Sequence, residues 1–258
     1  MKIRKIYIFL IIIFIVFFCV MFYLFGLDEI KSSKQNLTIL LGHNTVWQYN
    51  EKQWLNLSKN LGRYDLNWKK YHVYSNQEYV GDYLLWHDDQ WYAFDDNKEA
   101  VSLEGDLLAY MGNYKLSFYP FSEEEIEDYS SVNEVLKRYN ISLSSELTSA
   151  YHVSFDFDHD GSIEDFYIVS NAFTQDEVDT TFSFVYMVKD EQISMIYQYL
   201  DGGNSFNICK PYFTSFLDVN DDSIYEFILS CGGFSISEPI HMLYQYRDNA
   251  FKIAISSE

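Results

Sequence analysis

The first hydrophobic pattern in this chain is an unbroken apolar run that begins at Ile6 and ends at Phe25. A helix of about 20 apolar residues spans roughly 30 Å, the thickness of the hydrocarbon core of a bilayer. The run is preceded by three basic residues, Lys2, Arg4 and Lys5. Basic residues favour the cytoplasmic side of a membrane. The pattern predicts a cytoplasmic tail at 1–5, a single transmembrane anchor at 6–26, and the bulk of the chain outside the cell membrane.

Beyond the predicted anchor, aromatic and polar residues alternate in short segments that are joined by polar turns. Three of these segments, 46–55, 85–92 and 243–253, pair two aromatic strands across a turn that contains Asn or Asp. This is the pattern of a β-hairpin. Phe, Tyr and Trp make up 19% of the chain, and they favour strands. We therefore expect a mainly β, antiparallel fold, either propeller-like or a β-meander, with aromatic residues in its core.

One segment has helical periodicity instead. Ser122 and Glu125 have the spacing of a capping box. Six apolar residues then fall on one helical face: Ile126, Tyr129, Val132, Val135, Leu136 and Tyr139. Acidic residues near the start and basic residues near the end complement the helix dipole. The pattern predicts an α-helix over 123–139.

The helix divides the chain outside the anchor. We expect a polar stalk at 27–37, a β-rich N-terminal part at 38–120, a linking helical segment at 121–144 and a second β domain at 145–258. A length of about 230 residues suffices for one large domain or two small ones. The pattern leaves open whether the two β parts form one body or two.

Two acidic loops of nine residues, which begin 62 positions apart, lead into apolar strands of the second β domain. Each loop carries oxygen-bearing side chains at positions 1, 3, 5 and 9. In the first loop these are Asp156, Asp158, Asp160 and Glu164, and in the second they are Asp218, Asn220, Asp222 and Glu226. Closely spaced oxygens suit a hard cation such as calcium. The first loop is not an EF-hand, because Tyr167 stands at position 12, where that site requires a bidentate Glu.

The spacing of the three Asp, the Gly and the later acid before an apolar strand resembles the FG-GAP family of integrin-like repeats, over about 150–235. The resemblance implies calcium held between β-strands by the four side chains of each loop, with the Ser162 carbonyl as a backbone ligand. Gly161 permits the left-handed backbone of the turn. The second loop departs from the pattern at Asn220 and Ser223, which predicts a weaker site. His159 is expected to point outward and is not counted as a ligand.

Two of the three cysteines, Cys209 and Cys231, lie outside the predicted anchor. In an oxidising compartment an even pair is a candidate disulfide. The alternative is two buried thiols.

The net charge of −20 at pH 7 disfavours nucleic acid as a partner. No zinc motif, nucleophile elbow or phosphate-binding loop is present in the sequence. We therefore expect no catalytic residues, and as partners the lipid bilayer and an unidentified protein or glycan. The expected function is that of a membrane-anchored, extracytoplasmic, calcium-stabilised β module that binds such a partner at the cell surface. The alternative is a cell-envelope hydrolase that uses acidic residues outside the calcium loops.

Overall fold

The computed structural model describes residues 37–42, 44–50, 53–63, 65–88, 90–103, 107–112, 116–142, 147–173, 180–201, 209–232 and 239–257. The predicted cytoplasmic tail, the predicted anchor and all but the last residue of the predicted stalk lie outside these residues. Within them, no helix has the length and apolar character needed to cross a membrane.

The described chain forms three antiparallel sheets and one α-helix. The prediction of a mainly β, antiparallel fold with a single helix is confirmed. Successive residues of a strand point to opposite faces, so alternating aromatic and polar residues give each sheet a face that packs in a core.

The first sheet has eight strands from the N-terminal part of the chain. They are β1 (Leu37–Leu41), β2 (Thr45–Tyr49), β3 (Trp54–Asn56), β4 (Lys69–Ser75), β5 (Glu78–His87), β6 (Trp91–Phe94), β7 (Ala100–Val101) and β8 (Leu107–Met111). Their order is β3-β2-β1-β8-β4-β5-β6-β7, and a 3-10 helix, Ser58–Arg63, follows β3. The two predicted hairpins of this region are confirmed as β2–β3 and β5–β6.

The second sheet combines a short strand with a four-stranded meander. Its strands are β10 (Glu124–Glu125), β11 (Ser149–Phe155), β12 (Glu164–Ser170), β13 (Thr181–Lys189) and β14 (Gln192–Asp201). They lie side by side in chain order.

The third sheet repeats this arrangement with a second meander. Its strands are β9 (Ser117–Tyr119), β15 (Lys210–Asp218), β16 (Glu226–Gly232), β17 (Ile240–Arg247) and β18 (Ala250–Ser256). Their order is β18-β17-β16-β15-β9. The predicted hairpin over 243–253 is confirmed as β17–β18, which turns between Arg247 and Ala250.

Aromatic rings fill the space between the second and third sheets. Phe155 of β11 lies 4.8 Å from Phe216 of β15, and Phe166 of β12 lies 5.9 Å from Phe227 of β16, measured between ring centroids. All four side chains are buried. Because each such ring buries on the order of 150–250 Å², this aromatic core holds the two meanders, and therefore their connecting loops, against each other.

The first and third sheets share a further core. Trp47 of β2 packs in one cluster with Leu217 of β15 and Leu243 of β17. Strand β9 lies inside the range assigned to the N-terminal β part, yet it pairs with β15. The expected boundary at residue 120 therefore does not follow the sheets, and the two β parts are joined by common packing.

The helix is shorter than predicted. Helix α1 (Ser130–Arg138) packs Val132, Val135 and Leu136 on the outer face of the second sheet. The prediction that it begins at 123 was wrong, because Glu124 and Glu125 instead pair with β11 as strand β10. The capping box does not form. Residues that pair with a sheet edge satisfy their backbone groups there and are not available to start a helix.

Candidate metal site

The two acidic loops occupy equivalent places in the two meanders and lie in contact. The first loop joins β11 to β12, and the second joins β15 to β16. The Tyr225 N–H donates to the Phe157 carbonyl (2.9 Å). His159 Nδ1 lies 2.7 Å from the Ser223 carbonyl, and its ring stacks on Tyr225. A carbonyl only accepts, so Nδ1 carries the proton. Sequence reasoning missed this contact, which makes exposed His159 a bridge between the loops.

Carboxylates close the backbone of the first loop. Asp156 accepts the N–H of Asp160 at Oδ1 and that of Gly161 at Oδ2, both at 3.0 Å. Asp160 Oδ1 accepts the N–H of Ser162 (2.8 Å). Gly161 has φ +92°, a value that glycine adopts without the steric cost of a Cβ. The loop conformation thus rests on its own aspartates.

Glu164, the first residue of β12, is fully buried below the first loop. Its Oε2 accepts the Phe157 N–H (3.2 Å). Burial raises the pKa of Glu164, because desolvation penalises the charged form. Asp156, Asp158 and Glu164 offer ligand oxygens that all lie within 4.8 Å of one another. Asp158 Oδ1 is buried and makes no hydrogen bond to any of the described residues. Three carboxylates at this spacing form a donor set for a hard cation.

Lys189, the last residue of β13, brings a positive charge into this acidic cluster. Its Nζ lies 3.0 Å from Asp158 Oδ2, 2.7 Å from Asp160 Oδ2 and 2.7 Å from Glu164 Oε1. Burial alone would lower the pKa of Lys189, but the hydrogen bonds from its ammonium to these three acids outweigh burial and raise the pKa. Lys189 therefore stays charged. It lies 25 positions beyond Glu164, and no local sequence pattern pointed to it.

The second loop has the same design with more internal hydrogen bonds. Asp218 accepts four backbone N–H groups, those of Asn220, Asp221, Asp222 and Ser223. The Asn220 side-chain amide donates to Asp222 Oδ2 (2.9 Å), and Asp222 Oδ1 accepts the Ile224 N–H (2.9 Å). These contacts occupy oxygens that a cation would use. Among the described residues, the first-loop triad is the only acidic, His or Cys group close enough to hold a metal ion.

Glu226, the first residue of β16, corresponds to Glu164 but has a neutral partner. Its Oε2 accepts the Val219 N–H (3.0 Å), and its Oε1 accepts the Gln245 side-chain amide (3.0 Å). It is 2% exposed. Burial raises its pKa to about 7, although the two hydrogen bonds oppose the shift.

Strand register shows that Lys189 and Gln245 are equivalent positions. Asp165, after the first buried Glu, pairs with Val188, directly before Lys189. Phe227, after the second buried Glu, pairs with Tyr244, directly before Gln245. At this equivalent position, the first meander therefore has a cation and the second meander has a neutral amide.

Cys209 and Cys231 form a disulfide, with their Cα atoms 5.0 Å apart. The bond joins the residue directly before β15 to β16, at the end of this strand pair opposite the second loop. Ser183 of β13 donates its hydroxyl to the Cys209 carbonyl (2.7 Å), so this end also connects the second and third sheets.

The fold and the site together define an antiparallel β protein with two adjacent acidic loops, one of which gathers three carboxylates. No protein-family model, curated protein or solved structure matches this chain. The FG-GAP resemblance therefore rests on the loop residues themselves.

Proposed function

We propose that this chain is a membrane-anchored, extracytoplasmic β module that is stabilised by calcium at its first acidic loop and binds a protein or glycan at the cell surface. The observation that carries the proposal is the triad of Asp156, Asp158 and Glu164, whose ligand oxygens lie within 4.8 Å of one another. The anchor at 6–26 and the outward placement of the remainder rest on the sequence pattern.

The donor set of the first loop suits calcium. Asp156, Asp158, Asp160 and Glu164 would supply carboxylate oxygens, and Ser162 its carbonyl. Bound calcium would neutralise a cluster that carries more negative charge than Lys189 balances. Lys189 contacts three of the same carboxylates, so calcium has to displace its ammonium. The side chain is 22% exposed, and its flexible stem allows the ammonium to withdraw into solvent.

The second loop would bind calcium more weakly. Asn220 replaces a carboxylate, and its amide already holds Asp222. Ser223 adopts φ +66°, which costs a residue with a Cβ on the order of 1 kcal/mol. The four side chains here, Asp218, Asn220, Asp222 and Glu226, are held by hydrogen bonds within the protein, and calcium would have to replace part of that network.

We further propose that the two meanders are FG-GAP-type units, each comparable to one blade of a propeller. Two features support this. Each unit is a four-stranded meander with the acidic loop between its first and second strands, and the two loops share their pattern of carboxylate-to-backbone hydrogen bonds.

An exposed aromatic surface on the first sheet supports partner binding. Trp68 is 45% exposed, and its ring lies 5.0 Å from Phe94 and 6.5 Å from Trp86. Trp86 in turn lies 5.9 Å from Tyr92. Aromatic side chains are enriched at interfaces because they bury large apolar areas at small entropic cost.

The proposal is tested by thermal unfolding of the full chain in detergent, with EDTA and with millimolar calcium. For a dissociation constant of about 0.1–1 mM, 1 mM calcium stabilises by roughly 0.4–1.4 kcal/mol. Asp158→Asn, which is isosteric, should remove most of the rise in midpoint, whereas Asn220→Ala should preserve it. An unchanged midpoint in wild type up to 10 mM calcium would refute the calcium site.

A further inference from the structure

A cleft of about 550 Å³ lies between the first and third sheets. On one side, its described walls come from the end of β1, from β6 and from the segment after β7. On the other side they come from β15 and β17. Small-molecule sites commonly have volumes of about 300–1,000 Å³ and lie between packed units of a fold. The cleft has the size of such a site and is separate from both acidic loops.

The chemistry of the cleft differs from that of the rest of the chain. None of its described lining residues is charged, although the chain has a net charge of −20. Its polar groups include five neutral side chains, Asn44, Thr45, Gln90, Ser102 and Thr214. The same cleft is also lined by apolar residues such as Leu41, Leu103 and Trp91. A surface of this composition offers hydrogen bonds without a counter-charge, which favours an uncharged ligand rich in hydrogen-bonding groups.

His241 contributes one nitrogen to this wall. It is 7% exposed, and its Nδ1 lies 2.6 Å from the buried Ser230 hydroxyl, which also contacts the Thr214 hydroxyl of the cleft. A β-carbon on Gly42, another lining residue, would lie 3.8 Å from Nε2, so this nitrogen lies beside Gly42 at the cleft. Within the described part of the chain, Nε2 makes no hydrogen bond. Burial lowers the pKa of His241 to about 4, so the imidazole is neutral at physiological pH.

We propose that this cleft binds a neutral saccharide unit, with sugar hydroxyls bonded to His241 Nε2 and the neutral polar side chains, and the carbon face of the ring against the apolar wall. This rests on the proposed extracytoplasmic binding function and selects a glycan over a protein as the partner. A sugar presents both hydroxyls and an apolar face, which matches the mixed polar and apolar lining of the cleft. A carboxylated or amino sugar would bury a charge that the described wall does not pair.

The test is a titration of the full chain with neutral disaccharides (cellobiose, maltose and diacetylchitobiose) and with charged sugars (glucuronic acid and glucosamine). Binding is followed by calorimetry and tryptophan fluorescence. A polyoxyethylene detergent is required, because maltoside detergents carry the sugar class under test. We expect saturable binding of at least one neutral disaccharide, and at least tenfold weaker binding of both charged sugars.

Two variants locate the site. Ser102→Phe places a ring in the cleft from an exposed position, and it should weaken binding at least tenfold. Ser194→Phe, at an exposed serine of β14 outside the cleft, is the matched control and should bind as wild type. His241→Asn keeps a polar atom near the position of Nδ1 but removes Nε2, and it should also weaken binding about tenfold.

The proposal is overturned if no neutral disaccharide binds at up to 10 mM, if the charged sugars bind more tightly, or if Ser102→Phe binds as well as wild type. The calcium response is measured on the same samples. A calcium response without sugar binding leaves the calcium-stabilised module standing and removes the saccharide. Sugar binding without a calcium response supports the saccharide site and removes the calcium site.

Discussion

The first and second acidic loops each contain a buried glutamate, but different side chains contact its carboxylate. Each places a buried glutamate under a turn that is closed by aspartates, and each glutamate accepts a backbone N–H from its own loop. The second oxygen of Glu164 faces the ammonium of Lys189, whereas that of Glu226 faces the amide of Gln245. The comparison shows that one backbone design tolerates either an ion pair or a neutral hydrogen bond at its centre.

The difference also separates the two loops as metal sites. The first loop keeps three carboxylates close together, and two of them, those of Asp158 and Glu164, contact the flexible ammonium of Lys189. Calcium therefore has one mobile group to displace. In the second loop, the carboxylate oxygens accept hydrogen bonds from backbone N–H groups and from an asparagine amide. It is therefore already satisfied without a cation.

The largest expected effect comes from removing the cation of the first loop. In EDTA, Lys189→Met leaves the buried Glu164 carboxylate without a positive counter-charge. The change should destabilise the protein by about 3–5 kcal/mol, measured by urea unfolding. The equivalent change in the second loop, Gln245→Leu, removes one hydrogen bond to Glu226 and should cost about 1–3 kcal/mol. Calcium should restore stability to Lys189→Met more than to Gln245→Leu.

Lys252→Met is the control for the loss of a lysine. Lys252 is exposed and pairs with Asp248 on the surface, where ion pairs contribute little. Its midpoint should remain close to that of wild type. If Lys189→Met behaves like Lys252→Met, the ammonium does not stabilise the first loop.

The second effect is a pH dependence from Glu226. Its pKa is about 7 in the fold and about 4.3 when unfolded. The folded protein therefore binds this proton more tightly, and the stabilisation is complete below pH 4.3 and lost as pH rises through 7. The loss amounts to up to about 4 kcal/mol. In EDTA, Glu226→Gln should flatten this part of the stability–pH curve.

Titration of His241 changes stability with pH in the opposite direction, so its contribution has to be separated from that of Glu226. Its pKa is lowered to about 4, so its contribution is present above its unfolded pKa of about 6.5 and is lost as pH falls through 4. The effect of Glu226→Gln is therefore measured in the His241→Asn variant. The stability–pH curve of the double variant is compared with that of His241→Asn alone. Glu164→Gln is the matched change in the first loop. It leaves Lys189 with fewer acids and should destabilise at neutral pH, where Glu226→Gln should not.

A smaller effect is expected from making the second loop resemble the first. Asn220→Asp restores the missing carboxylate and removes the amide that holds Asp222. We expect lower stability in EDTA and an added calcium stabilisation of about 1 kcal/mol at millimolar calcium. Asn249→Asp, in the exposed β17–β18 turn, is the control and should add none. An equal calcium response in both variants would show that the effect is general charge screening.

The smallest effects come from the left-handed residues of the turns. A β-carbon on Gly161 would meet no atom of the described residues within 4 Å, so Gly161→Ala tests backbone strain and should cost about 1 kcal/mol. Ser223→Gly relieves the matching strain and should stabilise by up to about 1 kcal/mol. The thermal midpoints of Gly161→Ala and Ser223→Gly are measured in EDTA. Midpoint shifts of the same sign would contradict the view that the two turns have the same left-handed geometry.

Much of the local structure could be predicted from the sequence. Alternating aromatic and polar residues identified three hairpins, all of which form. The helix was predicted where α1 lies, but seven residues too early. That error has a physical cause, since Glu124 and Glu125 pair with a strand edge from a distant part of the chain. A local periodicity cannot register such competition.

The sequence by itself determined the acidic loops, because the hydrogen bonds that shape them join residues at most seven positions apart. Only the tertiary structure decided what lies against those loops. Lys189 and Gln245 reach equivalent glutamates across a strand pairing, through connections of different length, and His159 meets Ser223 64 positions away. The cleft at His241 likewise exists only where two sheets meet. Strand register and sheet packing depend on contacts across the whole chain, and no short pattern encodes them.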